Sequence, residues 1–146
     1  MNRYVNHKLL RYALGLLQLF IGVSAIAGGA KLVLDPSGAG LQIPLHWLVG
    51  SPFSSYFIPG LVLLVMIGAG TTLASVFTIF GNRNADLMAV GSGMLLILFI
   101  TAEVWFIGFR VFLQPLYLIL GGVEVALGLR ISRIKRTADL GWLTDA

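Results

Sequence analysis

The chain has 146 residues, of which 58% are hydrophobic and only 11% are charged, and its formal net charge is +4. Because a soluble domain draws roughly 25% of its residues from Asp, Glu, Lys and Arg, this composition excludes an ordinary soluble globule. It predicts a single integral membrane domain whose solvent is the lipid bilayer. The absence of cysteine excludes disulfides and thiolate metal sites, and two histidines are too few for a histidine-rich metal centre. The basic residues flank apolar stretches and form no separate basic domain, so we expect no nucleic-acid partner.

Four apolar runs follow one another along the chain, and each is long enough to cross a bilayer. They are Tyr12–Ala30, Phe57–Phe80, Ala85–Phe109 and Val111–Leu129. The shortest runs have 19 residues. At about 1.5 Å per residue such a helix reaches roughly 28 Å, close to a hydrocarbon core of ~30 Å. Since Pro115 suits the first turn of a helix, we refine the last two spans to about 85–107 and 113–132, with Arg130 snorkelling. The sequence predicts an all-α transmembrane four-helix bundle.

The basic residues predict the orientation of this bundle. An even number of spans places both termini on one side of the membrane. Eight of the ten basic residues fall on that side, namely Arg3, Lys8, Arg11, Arg83, Arg130, Arg133, Lys135 and Arg136. Only Lys31 and Arg110 fall on the other. By the positive-inside rule, we expect cytoplasmic N- and C-termini and an extracytoplasmic first loop.

An alternative interpretation makes Ala13–Ala27 a cleavable signal peptide, because Arg11 precedes the apolar core and Ala25-Ile26-Ala27 resembles a cleavage site. The apolar run continues past Ala27 without a polar region. We therefore expect the segment to remain as the first span.

The first loop, Lys31 to Tyr56, is unusually apolar for a connecting segment. No Asp, Glu, Lys or Arg occurs between Pro36 and Asn82. Pro44 suits the start of a short interfacial helix that carries His46 and Trp47, with the indole at headgroup level. The loop is interpreted either as an apolar cap on the bundle or as a lid over a binding cavity.

Small residues recur at steps of three and four and predict which helix faces pack together. In lipid, small side chains let helix backbones approach closely. The stripe of the first span is expected to face that of the second, and those of the third and fourth spans to point inward with their polar residues. The four stripes are Gly15, Gln18, Gly22, Ala25 and Gly29; Gly60, Leu64, Gly68, Thr71, Ser75 and Thr78; Ala89, Gly93, Leu96, Ile100, Glu103 and Arg110; and Gln114, Tyr117, Gly121, Glu124 and Gly128.

Glu124 lies near the middle of the fourth span. A charged side chain at the bilayer centre costs about 2.5 to 3.5 kcal/mol on insertion scales, so this carboxyl is either protonated or paired. We expect a largely neutral acid that donates a hydrogen bond, with Gln18 of the first span as its partner at comparable depth. Two interpretations stay open: Glu124 either accepts a proton or binds a ligand, or it only forms a structural hydrogen bond between helices.

Glu103 lies nearer the outer end of the third span. Arg110, Lys31 and Asp35 are expected near the same end, so the sequence predicts a shared interfacial cluster of ion pairs or, alternatively, a ligand site. Because Glu103 and Glu124 are expected at different depths, they are poor candidates for an acid and base acting on one bond.

The opening of the chain resembles DoxX-like membrane proteins, in which a small-residue first helix ends in Gly-x-x-Lys and is followed by an Asp. The residues that carry this resemblance are Arg11–Gly15, Gly22, Gly28–Lys31 and Asp35–Pro36. The resemblance implies a four-helix protein of the bacterial plasma membrane and a partner-dependent role in membrane redox complexes or quinone-linked thiosulfate oxidation. Lys31 and Asp35 are the two residues of this chain that match the motif positions of that family.

The chain also resembles a widespread group of small, uncharacterised bacterial membrane proteins, a similarity that implies no activity. The matching segments are Leu34–Gly38, Pro44–Leu48, Ser51–Phe53, Ile58–Leu61 and Gln114–Tyr117. The lack of cysteine and of an evident cofactor ligand argues against autonomous redox activity.

Three functions are consistent with these features. The first is a binding or accessory subunit whose cavity, under the loop Leu41–Tyr56, holds a lipid, a quinone or another apolar small molecule. The second is a small proton-coupled transporter that uses Glu124 and Glu103, and the third is a structural subunit that assembles with itself or with a membrane partner. No nucleophile, base and orienting group occur at reasonable spacing, so we predict no catalytic residues. The candidate ligand-binding or proton-accepting residues are Glu124, Glu103, Gln18, Tyr117, Gln114, Arg110, Lys31, Asp35, His46 and Trp47.

Overall fold

The computed structural model describes the backbone of residues 2–144 and the side chains of residues 7–137. This part of the chain contains four long helices and no strand: α1 (Asn2–Leu34), α2 (Phe57–Ile79), α3 (Ala85–Ile107) and α4 (Leu113–Thr144). All four are long and apolar enough to cross a membrane. The predicted all-α fold with four candidate spans is confirmed.

The turn between the third and fourth helices lies where the sequence predicts it. α3 ends at Ile107 and α4 begins at Leu113, as predicted from Pro115. Gly108 stops α3 with a φ of +74°, in a region that L-residues with a side chain rarely adopt. The prediction that Arg110 lies on the inner face of the third span is therefore wrong, because α3 has ended before Arg110.

α2 is irregular in a way that the sequence does not predict. It begins as an α-helix over Phe57–Val62, continues as a π-helix over Leu63–Ala69 and returns to α-helix over Gly70–Ile79. π-helical turns are rare and frequently lie at functional sites.

Small residues hold α1 and α2 together as an antiparallel pair. A Cβ added to Gly29 would lie 2.5 Å from the backbone nitrogen of Leu64, and one added to Gly60 would lie 2.5 Å from Cβ of Leu32. Near the other end, the Ser75 hydroxyl donates to the carbonyl of Gly15 at 2.7 Å. The predicted contact between these two stripes is confirmed.

α3 and α4 form a second antiparallel pair on the same principle. A Cβ on Gly93 would lie 2.9 Å from the carbonyl oxygen of Gly121, and one on Gly128 would lie 3.2 Å from Cβ of Ala89. The inward orientation predicted for these small residues is confirmed.

The two helix pairs pack together through two buried clusters. We call the end of the bundle near the turn between α2 and α3 the termini end. There Leu14, Ala89 and Ile131 form one buried cluster from three helices. A second cluster, around Ile21 and Leu96, continues the core towards the middle. The opposite end, where the loops 35–56 and 108–112 lie, is the loop end.

The first loop folds back over the loop end. Two 3₁₀ turns, Ala39–Leu41 and Leu45–Leu48, follow each other, and the second begins directly after Pro44 as predicted. The Tyr56 hydroxyl donates to the carbonyl of Pro44 at 3.0 Å. Leu48 and Tyr56 pack on Leu32 of α1, so the loop is anchored to the bundle by buried side chains.

Candidate functional site

A cavity of about 450 Å³ lies at the loop end, between the two helix pairs and beneath the first loop. All four helices and both loops contribute to its walls, which are almost entirely apolar. The π-helical part of α2 supplies Leu63 and Ile67, and the first loop supplies Trp47, Leu48 and Phe53. We call this space the loop-end cavity.

The polar part of the loop-end cavity is formed by Glu103 and Gln114. The Gln114 side-chain amide donates to Oε1 of Glu103 at 3.1 Å. Gln114 is only 1% exposed, whereas Glu103 is half-buried and lines the cavity. A carboxyl group therefore meets a largely apolar space.

Gln114 also fixes the turn between α3 and α4. Its Nε2 makes a second bond, to the carbonyl of Gly108 at 3.1 Å. Its Oε1 accepts from the backbone N–H of Arg110 at 2.9 Å and of Val111 at 3.4 Å. All the hydrogen-bonding capacity of this amide is used, so Gln114 couples the shape of the turn to the position of Glu103.

Two tyrosines on the cavity wall have their hydroxyls committed elsewhere. Tyr117 donates to Oγ of Ser24 at 2.7 Å, and Ser24 donates to a backbone carbonyl of its own helix at 2.8 to 2.9 Å. Tyr56 donates to Pro44, as described above. Burial, and secondarily the Glu103 carboxyl, raises the pKa of Tyr56, which keeps this phenol a donor.

The predicted ion-pair cluster around Glu103 is wrong. Within the side chains of residues 7–137, the one ion pair joins Lys135 to Asp86 at 2.7 Å, at the termini end. Arg110 instead places its guanidinium 5.8 Å from the ring centroid of Trp47 and donates from Nε to the carbonyl of Ile107 at 3.0 Å. Lys31 is exposed at the end of α1.

Asp35 organises the first loop and does not pair with Lys31. Its carboxylate accepts from the Ser37 hydroxyl at 2.5 Å and from the backbone N–H of Gly40 at 2.8 Å. These hydrogen bonds, that from Ser37 first, lower the pKa of Asp35. His46 is exposed and is not part of the cavity wall.

Glu124 belongs to a separate polar group in the middle of the bundle. Its Oε1 accepts from the Gln18 amide at 3.1 Å, which is the contact that the sequence predicted. The Ser92 hydroxyl makes a short hydrogen bond with the same oxygen. Gln18 and Glu124 are 0% exposed, and neither lines the loop-end cavity. We call Gln18, Ser92 and Glu124 the Glu124 cluster.

The Ser92 hydroxyl has two acceptors within reach. Its Oγ lies 2.8 Å from the carbonyl of Met88, the acceptor that a serine in a helix normally uses, and it also contacts Oε1 of Glu124. The neutral, donating state of Glu124 stays a prediction.

The structure thus separates the two carboxyl groups. Ser92, which contacts Glu124, precedes Glu103 by eleven residues on α3, which corresponds to roughly 16 Å along the helix. Of the ten candidate residues, Glu103, Gln114, Tyr117 and Trp47 line the cavity.

Sequence reasoning missed three parts of these sites: Ser92, Ser24 and the aromatic wall. Ser92 lies next to Gly93 of the predicted inner stripe, so its position at the depth of Glu124 was a usable signal. Ser24 is likewise adjacent to the stripe residue Ala25. The wall residues Phe53, Phe99 and Phe106 gave no signal, because an apolar side chain in an apolar chain does not show which of its surroundings are empty.

The chain matches no family model, and neither the curated proteins nor the solved structures contain a significantly similar protein. The DoxX-like resemblance stays a prediction.

Proposed function

We propose that this chain is a multi-pass membrane protein that binds an apolar or amphiphilic small molecule, such as a lipid or a quinone, in the loop-end cavity. The observation that carries the proposal is the cavity itself. Its volume of about 450 Å³ falls in the range of ligand sites, roughly 300–1,000 Å³. Apolar walls with one buried polar end are the usual composition of such sites.

The cavity is larger than the voids that ordinary packing leaves in a protein interior. Protein interiors are packed as densely as organic crystals, with few voids larger than a water molecule. Water gains little in a space with almost no polar partners. An apolar occupant is therefore expected. The cavity-lining side chains Ile58 and Phe106 are also exposed, which supports an entrance from the lipid.

We also propose cytoplasmic termini in a bacterial plasma membrane, on the charge distribution and the DoxX-like resemblance. Because the chain has no cysteine, single-cysteine labelling is clean. An impermeant maleimide should label Val49→Cys, at an exposed position of the first loop, in intact cells. It should label Asn82→Cys, in the α2–α3 turn, only after lysis. The reverse pattern contradicts this orientation.

The binding proposal is tested by filling the cavity. Gly28 lies on the cavity wall, and a Cβ added to it meets only Cδ2 of Leu63, at 3.6 Å, which is ordinary contact. Gly28→Phe should therefore fold and occupy cavity volume. Gly122→Phe is the matched control, because a Cβ on this exposed residue of α4 meets nothing within 4 Å.

The measurement is mass spectrometry of small molecules that co-purify with each protein after mild extraction. We expect the wild type and Gly122→Phe to enrich the same molecule over bulk membrane lipid, and Gly28→Phe to lose it. Equal enrichment in all three proteins, or enrichment in none, contradicts the proposal.

The closed surroundings of Glu124 favour binding over proton-coupled transport. Transport through both carboxyls requires a path from Glu103 to the Glu124 cluster, and the buried side chains Leu96 and Ile21 lie near the middle of the bundle between them. A pH-driven flux in vesicles that Glu124→Gln abolishes would overturn this preference. Recovery of a fixed foreign partner by crosslinking would instead support an assembly subunit.

A further inference from the structure

The side chains around the loop-end cavity offer few free hydrogen-bond donors. Five lining side chains carry an N–H or O–H group: Ser24, Trp47, Tyr56, Gln114 and Tyr117. Four of them donate to protein acceptors already. Within the described side chains, only the indole N–H of Trp47 has no acceptor. A ligand that needs hydrogen-bond donors finds almost none here.

The carboxyl of Glu103 is the main group left open. Only Oε1 receives a hydrogen bond from the described side chains, that of Gln114. Oε2 receives no hydrogen bond from them, and it is not one of the fully buried polar atoms that lack a partner. Since Glu103 lines the cavity, Oε2 is available to a ligand.

The described part of the chain supplies no cation to Glu103. No Lys, Arg or His side chain of residues 7–137 lies within 4.0 Å of this carboxyl. The nearest loop cation in sequence, Arg110, is directed to the Trp47 ring and to the carbonyl of Ile107. In low-dielectric surroundings this carboxyl is either protonated or in need of a counter-ion, and a cationic ligand would complete its charged form.

We propose that the ligand of the loop-end cavity is an amphiphilic ammonium ion, a protonated amine with an apolar body, whose N–H group donates to Oε2 of Glu103. This inference rests on the proposed binding function and names its ligand class. A quinone or another ligand with acceptors only would find the indole N–H of Trp47 and a protonated Glu103 as its donors, because the other four lining donors are committed.

The aromatic wall supports the same ligand class. Six aromatic side chains line the cavity: Trp47, Phe53, Tyr56, Phe99, Phe106 and Tyr117. Aromatic faces attract cations, and they bind apolar groups equally well. Such a wall accommodates both parts of an amphiphilic amine, the ammonium group and its hydrocarbon body.

The test compares three probes of equal chain length and different charge: decylamine, decanol and decanoate. Binding to the purified full chain is measured in nanodiscs of zwitterionic phosphatidylcholine, so that bilayer partitioning of each probe is the same for every variant. Glu103→Gln removes the charge and keeps an oxygen that accepts from Gln114. Glu124→Gln is the matched control, because it is the same substitution outside the cavity.

We expect the wild type and Glu124→Gln to bind decylamine at least about tenfold more tightly than decanol, and decanoate most weakly. Glu103→Gln should lose this preference and keep its affinity for decanol. If decanol and decylamine bind equally to the wild type and Gly28→Phe blocks both, the ammonium proposal is wrong and the binding function stands. If no probe binds in a manner that Gly28→Phe blocks, both are wrong.

Discussion

The close packing of α1 on α2 can be tested at Gly29. A Cβ there would lie 2.5 Å from the backbone nitrogen and 2.8 Å from Cα of Leu64, and 2.8 Å from the carbonyl oxygen of Gly60. Ordinary contacts begin near 3.4 Å. Since all three atoms belong to a helix backbone, no side chain can rotate away. In Gly29→Ala the two helices must therefore move apart by roughly 1 Å, with loss of the contacts around them.

Two opposing contributions determine how much Gly29→Ala changes the free energy of unfolding. Overpacking in a closely packed interior costs typically 1–3 kcal/mol. Replacing glycine by alanine within a helix gains up to about 1 kcal/mol in any exposed position. Gly91→Ala measures that gain alone, because a Cβ on this exposed residue of α3 meets nothing within 4 Å. Relative to Gly91→Ala, we expect Gly29→Ala to be less stable by about 2 kcal/mol, or roughly 30-fold in the unfolding equilibrium.

The assay is equilibrium unfolding in mixed micelles with increasing SDS, followed by tryptophan fluorescence. Both variants are compared with the wild type under the same lipid conditions. Equal stability of Gly29→Ala and Gly91→Ala would refute the argument that backbone proximity at Gly29 fixes the α1–α2 distance.

Three further predictions follow from the polar groups. The predicted neutral state of Glu124 is tested by Glu124→Gln, which should unfold near the wild-type midpoint because a neutral amide then replaces a neutral acid. Glu124→Leu should lower the free energy of unfolding by about 2 kcal/mol, because it leaves the Gln18 amide unpaired. A large loss of stability in the glutamine variant would indicate a charged carboxylate. Gln114→Leu should accelerate amide hydrogen exchange at Arg110, which loses its acceptor, and unchanged exchange would contradict the role of Gln114 in the turn. The stabilisation from Asp35 should be present at neutral pH and disappear as the pH falls below about 4, because its pKa is lower in the folded state. In Asp35→Asn, the thermal unfolding temperature should lack this component of the pH dependence, and identical pH profiles would contradict it.

The helix pairing was predictable because one physical rule controls it. In lipid, only small residues on a common face allow backbones to approach, so Gly22, Gly29 and Gly60 had to lie where two helices meet. The contact of Gln18 with Glu124 followed from a second rule, that a carboxyl in the membrane needs a polar partner at its own depth.

The surroundings of Glu103 were not predictable by the same reasoning. The sequence suggested ion pairing because Arg110, Lys31 and Asp35 lie near the same end. The positive φ of Gly108 stops α3, and the turn that follows returns the chain so that Gln114 reaches Glu103. An amide thus occupies the place expected for a cation. Local backbone geometry at one residue decides this contact, and hydrophobic periodicity does not report it.

The cavity was foreseen only as one interpretation of the apolar loop, because a cavity depends on how all its walls pack together. The π-helical turn of α2 supplies Leu63 and Ile67 to its wall, and this turn has no periodic signal in the sequence.

The different surroundings of the two carboxyls suggest how this small bundle combines stability with binding. At the middle, Glu124 joins α1, α3 and α4 through two side chains and leaves no space for a ligand. At the loop end, Glu103 lines a cavity, and only its Oε1 receives a hydrogen bond from the described side chains, that of the Gln114 amide. A substitution at Glu124 should therefore change the stability of the bundle first, whereas one at Glu103 should change which molecules bind. Since Glu103→Gln and Glu124→Gln replace the same atoms, a comparison of their stability and ligand preference separates these two roles within one chain.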